Sequence, residues 1–359
     1  MKKLIYSTTK FVLPYFIIFF ISVIFYPLHK GDLLRMAYIP DLYPNYKENL
    51  RAEIPEPPKK YVMLSENPSN KSYKVLTIGD SFSEFGPLGY NNYIAQQLPT
   101  LHIDRHISKN PFQTLSELVD DGFFDEYKVE YVVLQSVERE IVDRVSPDAL
   151  VEKTTFKEIK KELNVKADPE STNKKATGEH NAPTHTFFSN QSLSFLFNAT
   201  TFLLGKKHIK NVYCFPMISD GLFSNGSDHL LFYDDDYITL TANNNEGNIQ
   251  YLNHALNLLN DKLSKKNIKL IVLVAPDKYG MYYNYIKDKN DLTKPVFFSL
   301  MQKQQKNYIF IESKTKLTEQ ISNGVKDIYY YDDSHWTPKA GKVIADEILF
   351  QIKKSPIRH

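Results

Sequence analysis

Apolar positions fall into three regimes along the chain. From Phe11 to Leu28 they form one run without a charge. That run approaches the roughly 20 residues a helix needs to cross a bilayer core. Lys2, Lys3 and Lys10 precede it, while Lys30, Asp32 and Arg35 follow it. The positive-inside rule therefore predicts that residues 1–10 are cytoplasmic and that the rest of the chain, after an 11–28 transmembrane anchor, lies outside, in the periplasm or on the cell surface. A cleavable signal peptide is the rival reading. The run is long for a signal core, and no small-x-small site follows it. No polar face interrupts it, which argues against a buried helix of a soluble protein. The second regime, 29–72, carries Pro40, Pro44, Pro55, Pro57 and Pro58 among frequent Lys and Glu. Such composition predicts a semi-rigid, extended linker.

From Tyr73 to His359 short apolar runs alternate with amphipathic ones. Strands are predicted at 74–78, 129–135, 211–215, 268–274 and 308–311. Helices are predicted at 90–98, 112–121, 191–204, 249–264, 294–305 and 338–352. Strands separated by helices predict an α/β domain with a central parallel sheet covered on both faces. In such sheets the ligand site lies beyond the carboxyl ends of the strands. The stretch 164–190 breaks the pattern. It is rich in Asn, Lys, Thr and Pro, and reads as a long polar insertion.

Composition narrows the functional classes. The 359 residues carry 44 basic and 42 acidic side chains, for a formal charge of +2. That balance gives no reason to expect a nucleic-acid partner. Cys214 is the one cysteine, so no intramolecular disulfide and no thiolate metal site can form. It sits in the apolar run Val212–Phe215 and reads as a small buried hydrophobe. His180 and His185, five apart in the polar insertion, lack a convincing third metal ligand. Ser224–His229 with Asp234–Asp236 does not match the spacing of an EF-hand loop and reads as a polar hairpin region. No metal is called for, and no nucleotide-binding glycine loop calls for a cofactor.

Two short stretches carry chemistry. Lys74–Ile78 is a β-branched apolar run that stops at Gly79, followed by Asp80-Ser81-Phe82. Ser81 thus falls where a buried strand gives way to a turn. Near the C-terminus, Asp332-Asp333-Ser334-His335-Trp336 places a histidine two and three residues after acids. A serine hydroxyl needs a base within hydrogen-bond reach, and the base needs a group that fixes its tautomer. Ser81 and His335, with Asp332 or Asp333, can supply all three parts. Ser83 is the alternative nucleophile. Against this, Gly, Asp and Ser are ordinary turn residues, and Thr337-Pro338 is an ordinary helix entry beside which a histidine can pack.

Gly79-Asp80-Ser81-Phe82 resembles the first block of the SGNH (GDSL-like) hydrolases, and Asp332–Trp336 resembles their last. The His-Trp pair, the single N-terminal anchor and the size resemble one branch, the membrane-anchored polysaccharide O-acetyltransferases related to the alginate acetylation proteins. In some of that branch the Asp-x-His-Trp element precedes the serine block; here the serine block comes first. The resemblance spans roughly residues 73–350. It implies an SGNH/flavodoxin-like three-layer sandwich, with Ser81 as nucleophile and His335 as general base. The SGNH pattern selects Asp332 as the orienting acid and is slightly favoured; the acetyltransferase spacing selects Asp333. No Gly-x-Asn-Asp block is present. In its place, after strand 129–135, stands Gln135–Glu140, whose Glu138-Arg139 pair is similar to the acetyltransferase branch. The resemblance thus makes Gln135, Arg139 and the more distant Asn110 candidates for the oxyanion or substrate site. For Arg139 the plain alternative is a surface salt bridge. Trp336 either packs beside the base or offers a sugar platform. Lys278 and Tyr279, after strand 268–274, are substrate-contact candidates or a plain turn.

The function implied is transfer of acetyl groups to an exported polysaccharide through an acyl-serine, with a polytopic membrane acyltransferase relaying the acetyl group. A carbohydrate esterase uses the same triad with water as acceptor. A non-catalytic polysaccharide-binding assembly subunit on the same scaffold is the rival from another class.

Overall fold

The computed structural model describes residues 8–17, 20, 31–146, 155–159 and 190–356. In chain order its strands are β1 (Val62–Met63), β2 (Val75–Ile78), β3 (Thr100–Ile103), β4 (Tyr131–Val137), β5 (His208–Ile209), β6 (Val212–Pro216), β7 (His229–Tyr233), β8 (Lys269–Ala275) and β9 (Ile309–Ile311). Six of them form one sheet in the order β1-β3-β2-β4-β8-β9, parallel throughout. Every residue of β2 and β4 is buried. That is why these strands read as continuous apolar runs rather than alternating ones.

The strands feed two hydrophobic cores. Val75, Tyr131, Val133, Ile271 and Leu273 face one core; Leu76, Ile78, Val132, Leu134, Leu270 and Val272 face the other. The period-two alternation of side chains makes a three-layer α/β sandwich of the sheet and its covering helices. Helices Pro111–Asp120, Glu246–Ser264 and Phe297–Gln302 cover one face, while Tyr90–Ala95 and Pro338–Lys354 cover the other. The architecture fits an SGNH-like fold.

Three expectations need correction. The strand predicted at 211–215 forms as β6, but it lies outside the parallel sheet. It pairs antiparallel with β5 and β7 in a separate three-stranded sheet. The region read as a polar hairpin does hold a hairpin partner, but β7 itself is apolar, with Leu230, Leu231 and Phe232 fully buried.

The third correction concerns residues 29–72. From Gly31 onward the expected extended linker is folded onto the domain. It carries helices Asp32–Ala37 and Tyr46–Ala52, and β1 extends the parallel sheet. Leu33, Leu34, Ala37, Ile39, Tyr46 and Leu50 are buried in the core on the β6–β7 side. Proline density predicted extension because it registers helix breaks. It does not register the apolar side chains between them, which supply the docking energy.

Residues 164–189 of the polar insertion expected at 164–190, with His180 and His185, lie outside the described residues, as do Ile18, Phe19 and 21–28 of the apolar run; Asn190 opens a helix. Among the described residues no helix is long and apolar enough to cross a membrane.

The docked N-terminal segment has a testable consequence. Burying a Leu or Ile side chain contributes roughly 1.5–3 kcal/mol. Losing Leu33, Leu34, Ile39 and Leu50 together is therefore comparable to the whole stability of a domain, about 5–15 kcal/mol. A chain beginning at Tyr73 is expected to fail to unfold cooperatively in a thermal melt, whereas one retaining Gly31 onward melts as a single transition.

Candidate active site

The register of the parallel sheet brings the chemistry-bearing turns to one edge. Ile78, the last residue of β2, is level with Leu134 of β4, and Val137 of β4 is level with Ala275 of β8. Gly79-Asp80-Ser81, Glu138-Arg139 and Asp277-Lys278 therefore all leave the carboxyl edge of the sheet.

The turn after β2 is held from behind. Asp80 N–H donates to Gln135 Oε1 at 2.9 Å, and the Ser83 hydroxyl donates to the same oxygen at 2.9 Å. A Cβ on Gly79 would lie 2.3 Å from both Gln135 Oε1 and Ser83 Oγ, so this grip requires glycine. The Asp80 carboxylate accepts from Phe82 N–H at 3.0 Å, Val137 N–H at 2.7 Å and Arg144 Nη1 at 2.7 Å. Burial works to raise its pKa, but Arg144 and these donors hold it below the usual carboxylate range. Asp80 is thus the anchor of the turn. Ser81 opens a one-turn 3-10 helix, Ser81–Ser83, and so its N–H is one of the first-turn donors that a helix leaves unpaired.

Ser81 meets His335. Its Oγ lies 2.7 Å from His335 Nε2, and Asp333 Oδ1 lies 2.7 Å from His335 Nδ1. With Asp333 ionised, the proton belongs on Nδ1, which leaves Nε2 to accept from the serine hydroxyl. Asp333 Oδ1 also accepts from the His335 backbone N–H at 3.2 Å, so the acid and the imidazole share one tight turn. That turn is closed by bonds from Tyr330 N–H to His335 O at 3.1 Å and from Thr337 N–H to Ile328 O at 2.9 Å. Pro338 then starts the last helix.

The structure places Asp333, not Asp332, against the imidazole. Asp332, one residue earlier in the same turn, has its Oδ1 3.8 Å from Lys47 Nζ and without a hydrogen-bond partner among the described residues. Burial together with the neighbouring Asp333 charge, against the pull of Lys47, pushes its pKa up to about 6.

Two residues that sequence reasoning missed come from the supposed linker. Asp32 accepts from Ser334 N–H at 2.8 Å and from Ser334 Oγ at 2.7 Å, and its Oδ2 stands 3.6 Å from His335 Nδ1. Lys47 Nζ donates to Asp333 Oδ2 at 2.6 Å. A Cβ on Gly31 would lie 2.1 Å from the Asp332 carbonyl, and Leu33 N–H donates to that carbonyl at 3.2 Å. The glycine therefore lets this segment lie directly on the histidine turn. The sequence signal for Asp32 is a Gly-Asp pair separated from the end of the apolar run by His29-Lys30, where it reads as a flanking charge; Lys47 carries none.

Charge sets the proton affinities. Burial works to lower the His335 pKa, but the hydrogen bond to Asp333 and the charges of Asp333 and Asp32 outweigh it and hold it above the ordinary histidine value. Asp333, despite burial, is held well below the carboxylate range by His335 and Lys47. Asp32 is raised, by burial and by repulsion from Asp333. Among the described residues, Asp32, Asp333 and His335 bring ligand atoms within 4.8 Å of one another, as a metal site would require. The Lys47 ammonium beside Asp333 opposes a cation there, and Nδ1 is already engaged, so the arrangement suits proton transfer better than metal binding.

The remaining sequence candidates are placed as follows. Gln135 is fully buried and grips the serine turn rather than facing a ligand. Asn110 is not at the site: it caps helix Pro111–Asp120 through Gln113 N–H and bonds the Arg144 carbonyl. Arg139 is no surface ion pair. It is buried between Asp236 at 3.1 Å and Asp277 at 3.2 Å, and its guanidinium lies over the Phe82 ring, which itself packs 4.7 Å from the His335 ring. Trp336 is 1 % exposed and packs edge-on against Phe82 and Tyr90, so it is a wall of the core and not a sugar platform. Lys278 is also internal. Its ammonium donates to the carbonyls of Tyr331 at 2.7 Å and Asp333 at 3.1 Å, and burial pulls its pKa down to about 7. Tyr279 donates to the Thr293 carbonyl at 2.7 Å. Both hold the scaffold rather than a substrate. Cys214 is buried and unbonded to sulfur, and burial pushes its thiol up to about 12.

Residues 224–359 match the family model described as the SGNH hydrolase-like domain of acetyltransferase AlgX. The matched span contains Asp333, His335 and Trp336, and Ser81 lies outside it. No curated protein and no solved structure matches the chain. The family match supports an SGNH-type, acetyltransferase-related function.

The geometry separates the two adjacent acids. Asp333→Asn is expected to lower ester turnover by on the order of 10³–10⁴, because the amide no longer fixes the Nδ1–H tautomer. Asp332→Asn is expected to stay within about tenfold, since it loses no bond to the base. Equal losses in the two variants, compared by kcat/KM, would contradict the assignment.

Proposed function

We propose that the chain is an extracytoplasmic serine-dependent O-acetyltransferase that acetylates an exported or cell-surface polysaccharide through an acyl-Ser81 intermediate. The observation that carries this reading is the continuous chain Ser81 Oγ–His335–Asp333, with both hydrogen bonds at 2.7 Å, at the carboxyl edge of a parallel sheet.

The steps follow from the proton positions. His335 Nε2 takes the Ser81 proton as Oγ attacks the acetyl carbonyl of the donor. The negative charge on the carbonyl oxygen is met by the Ser81 N–H, which the helix start leaves unpaired. His335 returns the proton to the leaving group, and acetyl-Ser81 remains. A polysaccharide hydroxyl then gives its proton to Nε2 and attacks the ester carbonyl. The Oγ–acetyl bond breaks, His335 Nε2 returns that proton to Ser81 Oγ, and the polysaccharide carries the acetyl group. The Asp333 and Asp32 charges stabilise the imidazolium formed in each half-reaction. The donor reaches the site by relay from a polytopic membrane acyltransferase, and the apolar run 11–28 anchors the chain beside it.

Full-length chain in lipid discs, supplied with a chromogenic acetyl ester and oligosaccharides, is expected to yield acetylated sugar. Ser81→Ala and His335→Ala are each expected to lower that yield at least about a thousandfold. Ser81-dependent ester cleavage without sugar acetylation under any condition would favour the esterase reading instead. Inert wild-type chain that still binds glycan would favour the assembly subunit.

The pH dependence has a definite sign. His335 acts as a base only when neutral, and its pKa is raised. Activity should rise with pH through a midpoint above the ordinary histidine value of about 6.5. Asp32→Asn removes one of the charges that raise it, so the midpoint should move to lower pH. An unchanged profile would show that Asp32 does not reach the base.

A further inference from the structure

Helix Asn190–Leu203 carries large apolar side chains both inward and outward, with Thr200 among the exposed positions. Its inner face buries Phe195 and Asn198, and the Asn198 amide donates to the Ala37 carbonyl at 2.7 Å. Its outer face, about 200° away at two residues' offset, leaves Phe197 67 % exposed. Seven residues on, at the helix end, Leu204 is 80 % exposed and Leu203 beside it 69 %. Isolated exposed leucines need no explanation, but a cluster of large apolar side chains at a helix tip does. Directly after the tip, Lys206, Lys207 and Lys210 are all exposed. An apolar tip ringed by lysines has the composition of a surface that meets anionic lipid.

The position of this face in the chain points the same way. It is fastened to the element that follows the apolar run. Besides the Asn198–Ala37 bond, Lys210 Nζ lies 4.0 Å over the Tyr38 ring, and Leu42 and Leu203 line one cleft of about 460 Å³. Three residues, 29–31, separate Leu28, the end of the run, from Asp32, four steps of chain with a reach of at most about 14 Å. A bilayer that holds residues 11–28 therefore lies within a short span of the helix Asp32–Ala37 and of the helix tip fastened to it.

We infer that Phe197, Leu203 and Leu204 dock into the bilayer surface, with Lys206 and Lys207 on anionic lipid headgroups. The inference rests on the anchor reading and deepens the proposed function. Docking fixes how the domain sits on the membrane and keeps the Asp32–His335–Ser81 cluster close to the plane from which a membrane-embedded donor presents its acyl group.

The test uses full-length chain in lipid discs of phosphatidylcholine and phosphatidylglycerol. An environment-sensitive fluorophore is attached at Leu204→Cys, Cys214 being buried, and in a separate preparation at Leu258→Cys. Leu258 is 51 % exposed on helix Glu246–Ser264, which covers the opposite face of the sheet. Docking predicts blue-shifted emission at 204 and quenching by a lipid-resident quencher several-fold above that at 258. Lys206→Glu with Lys207→Glu, or discs of phosphatidylcholine alone, should reduce the difference. Emission and quenching at 204 equal to those at 258 would overturn the docking and leave the anchor standing. Chain recovered free of lipid would overturn both. Ser81-dependent ester cleavage in the same discs reports on the proposed reaction independently of either result.

Discussion

The imidazole of His335 is the constraint on which the site depends. A histidine that serves as base to a serine must keep one tautomer and one orientation. Here both are set by Asp333, bound to Nδ1 at 2.7 Å from within the same turn. Backbone bonds close that turn, and side chains from other elements seat it. It is pinned by the Lys278 ammonium under the carbonyls of Tyr331 and Asp333, by Phe82 against the ring, and by Asp32 and Lys47 from the N-terminal segment. Desolvating a lysine is costly, and Lys278 shows that cost in its lowered pKa. It is offset by fixing the two carbonyls that aim the acid.

Two carboxylates, Asp333 and Asp32, thus face His335 Nδ1, and Lys47 bonds the second oxygen of Asp333. Asp333 is the acid held ionised and Asp332 the one pushed towards protonation, although they are neighbours in sequence. The difference comes from which of them bonds to the imidazole and closely to Lys47. A deeper layer, with Arg139 between Asp236 and Asp277, ties the ends of β4 and β8 together beneath Phe82. The serine turn and the histidine turn are therefore carried by separate elements that meet over one packed floor.

Much of this was legible in the sequence because it is written in local runs. β2, β4, β6, β8 and β9 announced themselves as apolar stretches, and Ser81 and His335 stood in short blocks. β3, Thr100–Ile103, did not: four residues with a central histidine make too short a run to distinguish from a loop. The choice between Asp332 and Asp333 was open because spacing alone does not say which side chain a turn directs inward. Asp32 and Lys47 were invisible for another reason. Their contacts to the histidine turn span 286 residues or more along the chain, and no local pattern encodes such a pairing. Proline density concealed them further by making a docked segment look like a tether.

The central claim is that Ser81 carries the acyl group. The most direct measurement is mass spectrometry of full-length chain quenched with acid during turnover of an acetyl ester. The account predicts one added acetyl group on the peptide containing Ser81, absent in Ser81→Ala and discharged when oligosaccharide is added before the quench. Turnover with Ser81 unmodified, or an acetyl group that persists elsewhere in Ser81→Ala at the same rate, would contradict it.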